Sequence, residues 1–320
     1  MAISENRIRI QYMTMSLRLL AGLLAISVTS TSADATDFHL YLLSGQSNME
    51  GFGLIDKLPP TLAQPQNEVL IFHGNAAADG SPAGGNGIWA TLRPGHGHRF
   101  RSDGTSNKYS DRFGMELTFA QTIAGRFPDR RIAILKYANG GTSIDPAAAK
   151  KFGCWDPSFE PTNQFDHFLK ALHPASADKD IDGDGEPDKL IPTGIAWMQG
   201  ESDANHTPEI ADRYQANLSH LLGEVRRTLG KDDLDVAIGR VSPSQLPEHF
   251  WKHLDRIRAA QTHFAREDEN TVLITSSDGY GFSDFWHFNA AGYIDLGKAF
   301  GNGLADLELR ETKPDDRLLD

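Results

Sequence analysis

A serine, an aspartate and a histidine stand where they can cooperate in nucleophilic catalysis. Ser47 follows an apolar run at residues 38–43 that is typical of a buried strand. A serine beside glycine at the C-terminal end of a strand lies where open α/β sheets bind and process ligands. Asp284 and His287 are three residues apart, so the carboxylate can reach the imidazole within one turn and fix its tautomer. The set predicts a nucleophilic serine whose proton passes to a histidine base. The alternatives are a serine that forms a turn and an Asp–His pair that pins a loop.

Other polar segments also follow predicted strands. Asn139 to Thr142 come after the apolar run 132–135, and Gln199 and Glu201 come after the run 194–198. The C-terminal ends of parallel strands meet at one edge of a sheet, where ligands bind. We therefore expect these side chains to converge on Ser47.

Apolar runs alternate with helical patterns along the chain. The predicted strands are 38–43, 69–72, 132–135, 194–198, 236–238 and 272–274. The predicted helices are 113–127, 208–229, 254–264 and 290–304. This alternation predicts one domain, a three-layer α/β/α sandwich with a central parallel sheet. Two long stretches, 73–112 and 142–192, interrupt it. Because both follow strands, we expect them to build walls around the serine.

The N-terminal 35 residues have the layout of a secretory signal peptide. Three arginines precede an apolar run at 19–28, and Ala33-Asp34-Ala35 supplies a small-x-small cleavage site. We expect cleavage before Thr36 and a secreted or periplasmic protein, with Met15 as an alternative start. The apolar run is too short to span a bilayer, so a retained N-terminal anchor is the weaker alternative.

The net charge restricts the kinds of partner the protein can bind, and the cysteine content restricts how the fold can be stabilised. Without the three basic and two acidic residues of 1–35, the 31 basic and 43 acidic residues of the chain become 28 and 41, a net charge of −13. This balance argues against nucleic acid and anionic membrane surfaces as partners. Cys154 is the only cysteine, so no intramolecular disulfide can form and the core must supply the stability.

Four sequence blocks carry a resemblance to a known family. GQSNM, NGGT, WMQGESD and DFWH, in this order, resemble the sialate O-acetylesterase domain and its relatives in carbohydrate esterase family six, within the SGNH-hydrolase superfamily. The resemblance covers about residues 38–304. It implies a flavodoxin-like SGNH-hydrolase fold at 36–310, followed by a polar tail at 311–320. It also implies a carbohydrate O-acetylesterase that needs no organic cofactor and acts on acetylated sialic acid or on a plant or algal polysaccharide.

The same resemblance implies roles for individual residues. Ser47 would be the nucleophile, His287 the base and Asp284 the acid that orients it. Ser44, in the same turn, is the alternative nucleophile, and Glu201 is the alternative acid.

The oxyanion donors are a further expectation. The first is the backbone N–H of the nucleophile, and the second is a glycine of NGGT, with Gly140 preferred to Gly141. Gln199 can donate through its amide, whereas an ionised Glu201 can only accept and would orient substrate or support the structure. Asn48 completes the candidates for oxyanion or substrate binding.

An acidic loop at residues 180–188 matches most of a calcium-binding loop. Loop positions 1, 3, 5 and 9 are carboxylates, and position 6 is glycine. Its acidic residues are Asp180, Asp182, Asp184, Glu186 and Asp188. Ile191 replaces the usual glutamate at position 12, so we expect a weak, structural calcium site remote from catalysis. The alternative is a solvated acidic loop.

Two rival functions stay open at this point. One is a catalytically silent, calcium-dependent sugar-binding protein, and the other is an acetyltransferase on the same fold. Trp89 and Trp155 lie in the long stretches, where they would either stack on sugar rings or pack internally. His96 and His98 are one residue apart, but no third metal ligand is evident.

Overall fold

The computed structural model describes residues 35–160, 162–246 and 250–311. The predicted signal peptide and polar tail therefore lie outside the described residues, except for residues 35 and 311. None of the helices in the described ranges is both long and apolar enough to cross a bilayer.

Strands in the described ranges form one large sheet and two small ones. Their bounds are β1 Thr36–Gly45, β2 Gly53–Leu54, β3 Gln66–His73, β4 Trp89–Leu92, β5 Arg101–Ser102, β6 Asn107–Lys108, β7 Arg112–Phe113, β8 Arg131–Ala138, β9 Asp188–Met198, β10 Asp235–Gly239 and β11 Thr271–Ile274. The large sheet has the order β11-β10-β9-β1-β8-β3-β4. Its strands run parallel, except that β4 pairs antiparallel with β3.

Helices cover both faces of this sheet. Their bounds are α1 Ser47–Glu50, α2 Glu116–Arg126, α3 Gln164–Ala177, α4 Glu201–Ala204, α5 Pro208–Thr228, α6 Leu254–Glu267 and α7 Ala290–Glu311. Apolar residues of α3, α5 and α6 pack in one core cluster, and those of α2 and α7 pack in another on the opposite face. The sheet strands contribute alternate side chains to the two clusters, as expected for a sheet buried on both sides.

The predicted three-layer architecture is confirmed, with two local differences. The stretch 142–192 is not continuous loop, because it contains α3. The helix was not predicted because Pro174, a residue that usually interrupts helices, lies inside it. The Asn163 side chain caps the start of the helix by accepting the Asp166 N–H. The second difference is β4, a short antiparallel strand at the sheet edge that the stretch 73–112 supplies.

The strand register brings the predicted polar segments to one edge. Gly45, the last residue of β1, is paired with Ala138 at the end of β8 and with Met198 at the end of β9. Gly45 has φ of +143°, and a Cβ there would lie 2.0 Å from the Met198 carbonyl oxygen. Only glycine allows this close approach, which brings the turn after β1 against the end of β9.

A buried ion pair supports this turn from below. Lys136 Nζ lies 2.8 Å from Glu116 Oε2, and both side chains are fully buried. The same ammonium donates to the carbonyl oxygens of Glu50, at 3.0 Å, and His96, at 2.7 Å. A buried charge needs such full pairing to be tolerated. Lys136 thereby fixes the end of α1 against the loop that follows β4.

Candidate active site

An open cleft of about 620 Å³ lies over the C-terminal ends of β1, β8 and β9. Residues of all four sequence blocks line it, together with residues of both long stretches. The lining includes Gln46, Ser47, Glu50, Phe52, His98, Arg101, Gly140, Gly141, Lys150, Phe152, Glu201, Phe250, Trp251, Trp286 and His287. The expectation that the stretches 73–112 and 142–192 build walls around Ser47 is confirmed.

Ser47 is the first residue of α1 and is largely buried at the floor of the cleft. Its N–H has no acceptor among the described residues, as expected for the first residue of a helix. Gly140 lies directly against it, since a Cβ on Gly140 would be 3.2 Å from the Ser47 Cβ. Ser44, the alternative nucleophile, points elsewhere. Its hydroxyl donates to the Tyr137 carbonyl at 2.7 Å, and it does not line the cleft.

Asp284 and His287 form the predicted pair. His287 Nδ1 lies 2.7 Å from Asp284 Oδ2, while Asp284 Oδ1 accepts the backbone N–H groups of Trp286 and His287 at 2.8 Å each. Burial by itself would raise the pKa of Asp284, but these hydrogen bonds bring it below the usual value. Burial lowers the pKa of His287 and outweighs the opposing effect of Asp284. With Nδ1 facing Asp284 and the pKa of the ring lowered, His287 can present an unprotonated Nε2 that accepts a proton.

The Phe52 ring fixes the plane of this imidazole. It stacks on His287 with ring centroids 3.5 Å apart and planes 3° apart, and its other face stacks on His98 at 4.3 Å. His287 thus has one face covered by an apolar ring, which also accounts for part of its burial.

The Asn48 amide joins three of the sequence blocks. Its Nδ2 donates to Glu201 Oε1 at 2.9 Å and to the Trp286 carbonyl at 3.2 Å. Its Oδ1 accepts from the Phe288 N–H and the Tyr293 hydroxyl. Every polar atom of this side chain is engaged within the protein, so Asn48 braces the site, contrary to its predicted place among the substrate-binding groups.

Glu201, the alternative acid, does not contact His287. One carboxylate oxygen accepts from Asn48, and the other is buried without a hydrogen-bond partner in the described structure. Burial raises the pKa of Glu201, although the bond from Asn48 opposes the shift. Glu201 lines the cleft and is placed to support Asn48.

The predicted amide donor is engaged elsewhere. Gln199 is fully buried, and its Nε2 donates to the Thr142 carbonyl at 3.1 Å and to Asp203 Oδ2 at 2.6 Å. It does not line the cleft, so its expected role as third oxyanion donor is not supported. Gln46 is better placed, because it lines the cleft and its Oε1 accepts from the N–H groups of Gly200 and Ser202. The amide nitrogen of Gln46 is not bonded within the described structure.

Sequence reasoning missed Glu50 as a cleft residue and considered His98 only as a metal ligand. Glu50 Oε1 lies 2.7 Å from His98 Nδ1, and Glu50 Oε2 accepts the Gly140 N–H at 3.2 Å. The preferred oxyanion glycine is thus already paired with a carboxylate, while Gly141 lines the cleft with φ of +77° against the Phe152 ring. The available signal was the position of Glu50, one helical turn after Ser47 and so on the same face.

Of the two alternatives for Trp89 and Trp155, the structure shows internal packing. Trp155 is buried and donates to Thr142 Oγ1, and Trp89 donates to the Ala175 carbonyl. Neither lines the cleft. The aromatic wall of the cleft consists of Phe250, Trp251 and Trp286. The centroid of the Phe250 ring lies 4.7 Å from that of Trp251 and 6.2 Å from that of Trp286.

A comparison with protein families finds a match over most of the chain. A family profile described as carbohydrate esterase, sialic acid-specific acetylesterase, matches residues 37–306. A comparison with curated proteins finds no match.

Solved structures show the same fold. A protein of Arabidopsis thaliana is 20% identical with a TM-score of 0.59, over 84% of this chain and 98% of that one. A carbohydrate acetylesterase from Xanthomonas citri is 17% identical with a TM-score of 0.59, over 86% and 57% of the two chains. NanS is 16% identical with a TM-score of 0.56, over 87% and 99%.

The Asp284–His287 geometry predicts how this imidazole titrates. Since burial lowers the His287 pKa, we expect its titration midpoint, measured by NMR, to fall below the reference value of about 6.5. Asp284→Asn removes the charge that raises this pKa and should lower the midpoint further. Glu201→Gln is the control and should move it less. The resonance is assigned by its loss in His287→Asn. A larger shift in Glu201→Gln than in Asp284→Asn would make Glu201 the partner of the histidine.

Proposed function

Because the chain belongs to the sialic acid-specific acetylesterase family of carbohydrate esterases, and is thus a carboxylic ester hydrolase, we propose that it removes O-acetyl groups from a carbohydrate with Ser47, His287 and Asp284 as its catalytic triad. The observation that carries this proposal is the Asp284–His287 pair, 2.7 Å apart and opening into the same cleft as Ser47. The intact set favours catalysis over a silent sugar-binding protein.

In the first half of the reaction, Ser47 Oγ attacks the acetyl carbonyl carbon while His287 Nε2 takes the hydroxyl proton. Asp284 keeps the Nδ1 proton in place and stabilises the imidazolium that forms. The tetrahedral intermediate then collapses, the ester C–O bond breaks, and His287 returns the proton to the sugar oxygen that leaves. The products of this half are a free sugar hydroxyl and an acetyl-serine.

In the second half, water attacks the acetyl-serine, with His287 again taking and returning the proton, and acetate is released. This hydrolytic step is what separates an esterase from an acetyltransferase, in which a second hydroxyl would take the acetyl group. No organic cofactor enters either half.

The oxyanion of each intermediate needs donors that are in place before the reaction. We assign the Ser47 N–H as the first donor, since it is unused in the described structure. The Gly140 N–H is the second and must turn from Glu50 towards the oxyanion. The Gln46 amide nitrogen, whose oxygen is held by Gly200 and Ser202, takes the place expected for Gln199.

The carbohydrate would lie along the aromatic wall. Trp286 is 40% exposed, lines the cleft and directly precedes the proposed base. An exposed ring beside the reacting ester offers an apolar face for a sugar ring. Acetylated sialic acid and acetylated plant or algal polysaccharides are the substrate classes we propose. Secretion or export to the periplasm, inferred from residues 1–35, agrees with a glycan substrate.

Removal of the nucleophile tests the proposal directly. Ser47→Ala should fold normally but lose on the order of 10⁶ in kcat, as serine hydrolases do without their nucleophile. Turnover is measured with an aryl acetate and with acetylated sugars. Ser44→Ala is the matched control and should keep most of the activity, since Ser44 bonds only to a backbone carbonyl. Near-normal turnover by Ser47→Ala would refute the assignment.

The orienting acid gives a second test. Asp284→Asn should reduce kcat by roughly 10⁴, because the amide favours the wrong histidine tautomer. Glu201→Gln should cost less, since its carboxylate contacts Asn48 and not His287. The two kcat values are compared on one substrate. The reverse order of severity would assign the acid role to Glu201.

The aromatic wall gives a test of substrate class. Trp286→Ala should raise KM for an acetylated oligosaccharide by about 3- to 10-fold, the loss expected for one ring contact. KM for a small aryl acetate should change less. Phe285→Ala is the control, because Phe285 is 55% exposed and lies outside the cleft lining. Equal effects of Trp286→Ala on both substrates would argue against sugar stacking at this ring.

A further inference from the structure

We propose that the loop joining α3 to β9 binds a calcium ion through the carboxylates of Asp180, Asp182 and Asp188. One ligand oxygen from each of these residues lies within 4.8 Å of the other two. Calcium binds oxygen at 2.3–2.6 Å, so two ligands on opposite sides of the ion are about 4.6–5.2 Å apart. The three oxygens therefore fit within one calcium ligand shell.

Unpaired buried oxygens give an independent reason for a cation here. Asp188 is only 8% exposed. Its Oδ2 accepts the Ile181 N–H at 2.7 Å, but its Oδ1 is buried without a partner in the described structure. Asp180 repeats the pattern, with Oδ2 accepting the Gly185 N–H at 3.0 Å and a buried, unpaired Oδ1. Buried acceptors without partners are costly, and a bound cation would satisfy both.

The charge of the cluster suits a divalent ion. Three carboxylates converge, and Arg131 compensates one of them through Nη1, 3.1 Å from Asp182 Oδ2. The net charge of about −2 that remains is the charge a calcium ion would neutralise. Magnesium fits less well, because it requires near-ideal octahedral geometry and gives up its water reluctantly.

The structure also corrects the expected set of ligands. Asp184 and Glu186 are not part of the converging group. The Asp184 Oδ1 instead accepts the Glu186 N–H at 2.8 Å and shapes the exposed tip of the loop. With three carboxylates and no glutamate at position 12, water and backbone carbonyls must complete the shell of six to eight ligands, so we expect weak binding.

The position of the loop determines what the ion does. Asp188 begins β9 and is paired with Thr36 at the start of β1, and the Thr36 N–H donates to the Pro187 carbonyl at 3.0 Å. β1 is ten residues long, which is roughly 33 Å along a strand, and Ser47 follows its opposite end. The ion would therefore stabilise the β1–β9 edge without taking part in the chemistry.

The test uses the purified, chelator-treated protein titrated with calcium chloride. Calorimetry should show binding with Kd in the range of about 10⁻⁴ to 10⁻³ M, and the melting temperature should rise by about 2–4 °C at 10 mM calcium. Magnesium should produce a smaller rise. Asp180→Asn with Asp182→Asn keeps the hydrogen-bond acceptors and should abolish both effects.

A charge-matched control separates binding from general screening. Asp232→Asn with Asp233→Asn removes the same charge from two exposed residues between α5 and β10, and should respond to calcium like the wild type. Absence of calorimetric binding at 10 mM calcium overturns the proposal. So does an equal response to magnesium, or an unchanged response in the Asp180/Asp182 variant. Ester hydrolysis well below the melting transition should not change with chelator, and inhibition there would overturn the separation of ion and chemistry.

Discussion

The amide of Asn48 is the interaction on which the geometry of the site depends. It lies one residue after Ser47 and holds the segment that carries His287 from both sides, through the Trp286 carbonyl and the Phe288 N–H. Ser47 and His287, the proposed nucleophile and base, come from opposite ends of the chain, so nothing local sets their separation. A buried amide with every polar atom engaged has one orientation only, and its bonds strengthen one another in a low-dielectric environment.

Around this amide, the strand register of the sheet and the buried Lys136 ammonium hold the other parts of the site in place. The ends of β1, β8 and β9 are in register, which fixes the first three sequence blocks relative to each other. The fourth block follows the edge strand β11 and is not held by that register, so it needs the bonds to Asn48. Lys136 lies beneath the cleft and donates to the carbonyl oxygens of Glu50 and His96, which connects the end of α1 to the loop that carries His98. His98 in turn stacks on Phe52, and Phe52 stacks on His287, so the same contacts extend to the imidazole of His287.

Much of this arrangement follows from sequence patterns, because it depends on periodicity and strand order. The alternation of strands and helices predicted the layers, and the position of polar segments after strands predicted their convergence. The Asp284–His287 pair was predictable because three residues of spacing confine it to one turn. The start of α5 is set just as locally, since the side chain of Thr207 accepts the Ile210 N–H and caps the helix.

The remaining features depend on tertiary contacts that no local pattern encodes. Gln199 follows a strand, as an oxyanion donor would, yet its amide is turned inward by the buried Asp203. Glu50 lines the cleft, where it pairs with His98 from a distant loop. Trp155 lies in a predicted wall but packs beneath it against Trp197, with ring centroids 5.2 Å apart. In each case the partner that decides the orientation is far away in sequence.

The separation of the acidic loop from the cleft has an evolutionary consequence. The two lie at opposite ends of the β1–β9 pair, and the described contacts of the loop are with the start of the sheet. Changes in the loop can therefore accumulate, or the loop can be exchanged for a shorter one, while the chemistry is inherited unchanged. Substitutions in the loop and substitutions in the cleft are therefore open to independent selection in this fold.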